Sequence, residues 1–284
     1  YSAMKDAALE EAESRCRTTA TNVSRTLHRY LTQFDQPVQT LAGMTELRNA
    51  LRSNDPAALE RANAMLDHFA SSFGVSVCYL MDADGDTIAS SNRDEPDSFV
   101  GENFAFRPYF RQAISGRPDV YLALGTTSGK RGVYSSHPVY SEGNRKLLGV
   151  AVMKASVEYV ETKLLSVDKG TVLVRDPSGV IFISNRQEWL YQSTEKLSPR
   201  ERRAIRNSKQ FGSGPWHWIG WDIQGDRVQG PQGGVHLAYT RSMPQFPGWQ
   251  LIYLRSRQDI LSKVQQPLVR ILGPLVAGFC LLIG

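Results

Sequence analysis

The sequence predicts an α+β protein: a long N-terminal helix followed by two related units, each built on an antiparallel sheet. Three observations point there. Apolar or small residues Cys16, Ala20, Val23, Leu27, Tyr30 and Phe34 recur at alternating steps of four and three, the period of one helix face. From position 75 onward, short apolar runs are separated by turns rich in Gly and Asp, as hairpins require. The stretch VCYLMDADGDTIASSN at 77–92 returns as TVLVRDPSGVIFISN at 171–185, with Asp82 and Gly85 matching Asp176 and Gly179.

The elements follow in order. Residues 3 to 52 read as helix, kinked or interrupted at Pro37, with the seam resuming at Leu41 and Met44. That seam suits packing on its own domain and on a second copy, so a homodimer through the N-terminal helix is expected. Asn54-Asp55-Pro56 is a helix start, Leu59, Leu66 and Phe69 form the inner stripe, and Gly74 is the stop. Strands are predicted at 75–81, 87–92, 120–127, 132–140 and 147–155, with short helices in FRPYFRQAISG (106–116) and SVEYVETKLLS (156–166). The second unit has strands in 171–185, a helix at 198–209, then strands PWHWIGWDI, VHLAYTRSM and GWQLIYLRS. The domains so read are 1–52, 53–166, 167–256 and 257–284.

Composition excludes several function classes. In 284 residues, 41% are hydrophobic and 21% charged, which suits a folded globular chain. The net charge of +5 is too small and too evenly spread for a nucleic-acid surface. The cluster Arg200, Arg202, Arg203, Arg206 and Lys209 reads as a solvated helix face. Cys16, Cys78 and Cys280 are far apart, which fits neither a zinc site nor a disulfide framework, and Cys78 reads as core. DADGD at 82–86 has its Gly fourth and Arg93 at position twelve, so it reads as a hairpin turn and not a calcium loop. The five histidines are scattered, and neither a nucleophile elbow nor a phosphate loop is present. No catalytic residue, metal or cofactor is therefore expected, and this region is read as non-enzymatic. The chain begins with Tyr and ends in an uncharged apolar run at 271–284. That run is shorter than the roughly 20 residues a membrane span needs, and is read as the start of a transmembrane helix. A second one is expected before Tyr1.

One constellation carries chemistry. Arg107, Tyr109 and Phe110 crowd the mouth of a short helix, opposite strands that carry GTTSGKRG. An Arg fork suits a carboxylate, and Thr and Ser hydroxyls add short hydrogen bonds. Lys154 interrupts the apolar strand GVAVMKA. Such a Lys is either snorkelling at an edge or facing an anion-binding pocket between helix and sheet.

The run DSFVGENFAFRPYFRQAISGRPDVYLALGTTSGKRGVYSSHPV, followed by LLGVAVMK, resembles the membrane-distal sensor domain of four-carbon dicarboxylate sensor histidine kinases. These belong to the double-Cache class, two tandem PAS-like domains. The resemblance is specific over 75–166 and looser over 171–255. It implies a long dimerising helix, ligand in the distal domain, transmembrane helices on both sides and a periplasmic setting at the bacterial inner membrane. It also implies a cytoplasmic kinase module outside this sequence that addresses a response regulator. Carried over, the ligand-binding residues are Arg107, Tyr109, Thr126, Thr127, Ser128 and Lys154. Strand alternation does not fix which of Thr126 and Thr127 faces the pocket. Phe104, Ala123 and Gly125 depart from the family pattern. Related amino-acid-sensing Cache domains carry an Asp near the end of the corresponding strand, where this chain has Lys154. The expected ligand is a small organic acid such as succinate, malate or fumarate. The alternatives are another organic acid or amino acid, read by a diguanylate cyclase or chemoreceptor, or a ligand-free dimerisation module.

Overall fold

A computed structural model describes residues 2–53, 55–144, 146–163, 170–223, 225, 227–231 and 233–262. The chain packs as two compact units. Among the described residues, the first comprises 27–161 and 203–214; the second comprises 2–26, 162–202 and 215–262. The apolar run at 271–284 lies outside the described residues. Among those described, no helix is long and apolar enough to cross a membrane.

The N-terminal stretch is a long helix, α1 (Ser2–Thr32), followed after the interruption expected at Pro37 by α2 (Asp35–Ala42) and α3 (Thr45–Ser53). The break falls ahead of Pro37, which takes the third position of α2. A first-turn residue has no intrahelical acceptor for its N–H, so Pro loses nothing there. The second break is at Gly43, whose N–H reaches back to the carbonyls of Gln39 and Thr40. Helix α4 (Pro56–Phe73) starts as expected: the Asp55 carboxylate accepts from the Ala58 N–H and Pro56 occupies the first turn. It ends at Gly74, in the left-handed region at φ 61°.

In the first unit, strands β1 (Val77–Asp82), β2 (Thr87–Ser90), β3 (Asp119–Leu124), β4 (Arg131–Tyr140) and β5 (Leu147–Ser156) form one antiparallel sheet, ordered β2-β1-β5-β4-β3. Helices α2, α3 and α4 pack on it. Alternation sends Cys78 to one face and Val77, Tyr79 and Met81 to the other. Burial pushes the Cys78 thiol up to about 12, as a core cysteine should be. The Tyr79 face forms a core with Phe99, Phe104, Tyr109, Phe110, Tyr134, Val150 and Val152. Helix α5 (Pro108–Ile114) brings Tyr109 and Phe110 to it. Strand β3 ends at Leu124, so Thr126, Thr127 and Ser128 lie in the turn beyond and not on the strand end. The open edge of β3 is met by a late segment: Leu124 N–H donates to the Gln210 carbonyl at 2.9 Å, and Gln210 Nε2 to the Leu122 carbonyl at 2.8 Å.

After α6 (Glu158–Lys163), the second unit repeats the topology. Strands β6 (Thr171–Arg175), β7 (Ile181–Ser184), β8 (Arg227–Gln229), β9 (Val235–Ser242) and β10 (Gln250–Ser256) are ordered β7-β6-β10-β9-β8. The repeated Asp explains itself. Asp82 Oδ1 accepts from the N–H groups of Asp84 and Asp86, and Asp176 Oδ1 from those of Ser178 and Val180. Gly85 and Gly179 follow at φ 90° and 87°, which a hairpin of this shape demands. The expected strand PWHWIGWDI is not one. Gly214 and Gly220 have positive φ and Trp216 itself sits at φ 47°, so the segment bends and buries Trp216 and Trp221 singly. The edge strand is the short polar β8, which has too few residues to show a period. The helix 198–209 is α7 (Pro199–Ser208), with Arg200, Arg203 and Arg206 exposed as read.

Candidate functional site

Strand pairing aligns Tyr121, Tyr134, Lys154 and Val77 in one row across β3, β4, β5 and β1. Lys154 is therefore at the centre of the sheet, on the face covered by α5, and is only 2% exposed. Its Nζ donates to Ser128 Oγ at 2.6 Å and lies 5.5 Å from the ring centroids of both Phe99 and Tyr134. Burial pulls its ammonium down to about 8; Asp97 and Glu158 oppose that shift, while Lys130 and Arg107 add to it. Among the described residues, no carboxylate forms an ion pair with Lys154. A cavity of about 280 Å³ opens beside it, lined by Asn92, Asp97, Ser128, Lys130, Arg131 and Lys154 among others.

A ring of phenols stands behind the ammonium. Tyr109 stacks on Tyr134 at 5.2 Å, nearly parallel, and its hydroxyl shares a 2.7 Å hydrogen bond with that of Tyr79. Burial pushes Tyr109 up to about 12 and Tyr79 well above the ordinary phenol value, so both hydroxyls stay neutral. Tyr109→Phe should leave the Tyr79 hydroxyl buried without this partner and cost about 1–3 kcal/mol in urea unfolding. A loss well under 1 kcal/mol would show that the pair contributes nothing.

The structure gathers part of the sequence-derived set. Lys154 bonds Ser128, and Tyr109 stacks on the Tyr134 that pairs with Lys154. Arg107, 1% exposed, occupies the residue position just ahead of α5, and its guanidinium donates to the main-chain carbonyls of Leu124 (2.8 Å) and Lys209 (3.1 Å). It ties α5 to the end of β3. Thr127 is half-buried and Thr126 is exposed. Tyr79 and Tyr134 were missed by sequence reasoning, and Gly125 was noted only as a departure from the family pattern. The tyrosines sit at alternating positions of apolar strands, where they look like core; only the register reveals Tyr134 as the neighbour of Lys154.

The second unit offers an internal control. Its register places Leu173, Ala238 and Leu254 where the first unit has Tyr79, Tyr134 and Lys154. All three join an apolar core filled by Trp189 and Trp221. Among the described residues, the polar constellation has no counterpart there.

Comparison with known proteins agrees with this architecture. A model of the Cache domain matches residues 1–264. The C4-dicarboxylate transport sensor protein DctB of Pseudomonas aeruginosa is 34% identical over 249 residues, covering 87% of this chain and 38% of that protein. The protein of the same name from Rhizobium meliloti is 37% identical over 175 residues, covering 62% of this chain and 28% of that protein. The chain thus spans well under half the length of these relatives. Among solved structures, the sensor domain of the histidine kinase DctB from V. cholerae superposes with a TM-score of 0.77 at 30% identity, covering 89% of this chain and 98% of that one. The sensory domain of the Campylobacter jejuni chemoreceptor Tlp3 with isoleucine bound shares the fold at 14% identity and a TM-score of 0.64, covering 91% of this chain and 98% of that one.

Proposed function

The chain belongs to the Cache-domain family, and from that premise we propose that it is the extracytoplasmic sensing region of a bacterial inner-membrane sensor histidine kinase. Its ligand is a C4-dicarboxylate, taken up in the first unit. The observation that carries this reading is Lys154: an ammonium buried in the centre of a sheet, with no carboxylate partner among the described residues, beside a cavity. A buried cation without a counterion is costly, and an anionic ligand removes that cost. Ser128 supplies a neutral hydroxyl against it, Tyr109 and Thr127 are the further neutral donors assigned to the site, and Arg107 adds positive potential while holding the α5 start. Thr126 lies at the solvent side of the same turn. The protein works as a homodimer through α1, linked to the membrane by flanking helices and to a response regulator through a cytoplasmic kinase module.

Titration calorimetry with succinate and malate tests this. The pH dependence has a definite sign. Below about pH 8 the empty site already holds the ammonium, so affinity is flat. Above it, a proton must be taken up on binding, and affinity falls by up to tenfold per pH unit. Succinate should bind roughly tenfold or more weakly at pH 9.5 than at pH 7. A flat profile removes Lys154 from the site, and no binding at either pH removes the dicarboxylate.

One observation favours a second reading. Glu95, Asp97 and Glu158 also line the cavity, and carboxylates suit a ligand that carries an ammonium. Aspartate and leucine in the same titration decide this: tighter binding than succinate makes the domain an amino-acid sensor.

A further inference from the structure

Two glycines beside Lys154 are not required by the backbone. Neither Gly125 nor Gly132 has positive φ. Gly132 lies inside β4, paired with Ala123 and Ser156, where Gly weakens a strand and usually marks a close approach. The approach is by Lys154 itself. A Cβ at Gly132 would stand 3.0 Å from both Cγ and Cε of Lys154 and 3.2 Å from the Ala155 carbonyl. A Cβ at Gly125 would stand 2.9 Å from Lys154 Nζ and 3.1 Å from the Tyr134 hydroxyl, and closer still to Ser128 Oγ. The lysine stem thus lies along one glycine and its tip rests on the other.

We propose that Gly132 and Gly125 are positioning residues: together they form a groove without side chains that lays Lys154 along the sheet and holds its ammonium against Ser128 and Tyr134. This rests on the sensing role argued above, because the placement of Nζ decides where a carboxylate is met. An added methyl at 132 lifts the stem, moves the ammonium towards water and breaks its contact with Ser128. The groove also explains why these two positions lack side chains although their backbones accept any residue.

A double-mutant cycle tests the proposal on the whole chain. Succinate affinity is measured for wild type, Gly132→Ala, Lys154→Met and the double variant. Gly132→Ala should weaken binding about tenfold when Lys154 is present and leave it within about twofold when it is Met. Equal losses in both backgrounds mean that the glycine acts on the fold alone and overturn the proposal. Gly125→Ala, whose methyl meets only side-chain tips, repeats the cycle if Gly132→Ala does not fold. A second readout needs no ligand. The Lys154 Cε signal in a 13C-lysine NMR titration should show its midpoint about one pH unit higher in Gly132→Ala than in wild type, because the displaced ammonium regains water. Equal midpoints overturn the groove. If wild type binds no succinate, the sensing role fails and this titration still judges the groove.

Discussion

Lys154→Met should raise the melting temperature of the empty protein and weaken its response to succinate. The two effects share one cause. Burial lowers Lys154 from 10.5 to about 8, which corresponds to roughly 3 kcal/mol of lost stability below pH 8. The sign follows from the depressed value. The penalty is complete below the folded-state pKa of about 8 and fades as pH rises towards 10.5. Met fills the same groove without charge. It forfeits the hydrogen bond to Ser128, about 1.5–3 kcal/mol with a charged donor. The net gain near neutral pH is therefore about 1 kcal/mol, or roughly 2–4 °C. The loss on the ligand side is larger. A hydrogen bond to a carboxylate contributes about 1.5–3 kcal/mol, so succinate should bind about 10- to 100-fold more weakly. Scanning calorimetry with and without succinate at pH 7 and pH 10 reads both. A variant that is less stable than wild type yet binds succinate equally well would refute the role given to this lysine.

Glu161→Ala should produce the largest fall in stability of any single change outside the apolar core. Arg131, at the start of β4, and Glu161, in α6, form a two-pronged ion pair at 2.6 and 2.7 Å, with both side chains almost wholly buried. Removing one partner strands the other charge away from water, and such losses run at about 3–5 kcal/mol. The first unit should then melt roughly 6–20 °C lower. The paired change Arg131→Met with Glu161→Leu removes both charges and should recover most of that loss. Urea unfolding of the three proteins decides it. If Glu161→Ala costs under 1 kcal/mol, or the double variant is no better than the single, the pair is not the clasp between β4 and α6 described here. Arg131 also lines the Lys154 cavity, so the same variants report whether the connector helix feels the ligand: succinate should protect the wild type more than Glu161→Ala.

Local chemistry was legible in the sequence where it is self-contained. The Asp55-Pro56 start and Gly74 stop of α4, and both Asp-x-x-Gly hairpins, depend on residues within a few positions of each other, and all are where they were read. The polar strand position of Lys154 was equally plain, since one charge in an apolar run has few explanations. What escaped depends on register or on distance. Tyr134 looked like core because nothing local says that it shares a row of the sheet with Lys154, and Tyr79 because nothing local says that it meets the Tyr109 hydroxyl. Arg107 reads as a fork suited to a carboxylate; the carbonyls of Leu124 and Lys209 that it holds were not legible, the second being 102 residues away. The aromatic stretch 215–223 imitated a strand because Trp and Ile favour strands, while the true edge strand β8 is short and polar.

The closure of the β3 edge by Gln210 has a meaning for biosynthesis. Gln210 is 88 residues downstream of Leu122, the residue it bonds. At about 5–20 residues per second, the ribosome delivers it roughly 4–18 s after that strand has been made. Hairpins close in microseconds, so the first sheet can pair long before its last border arrives. During that interval β3 offers unpaired N–H and C=O groups to any neighbouring chain, the usual opening for aggregation. The nascent chain therefore passes through a vulnerable stage set by connectivity alone, and the segment that ends it also receives the Arg107 guanidinium.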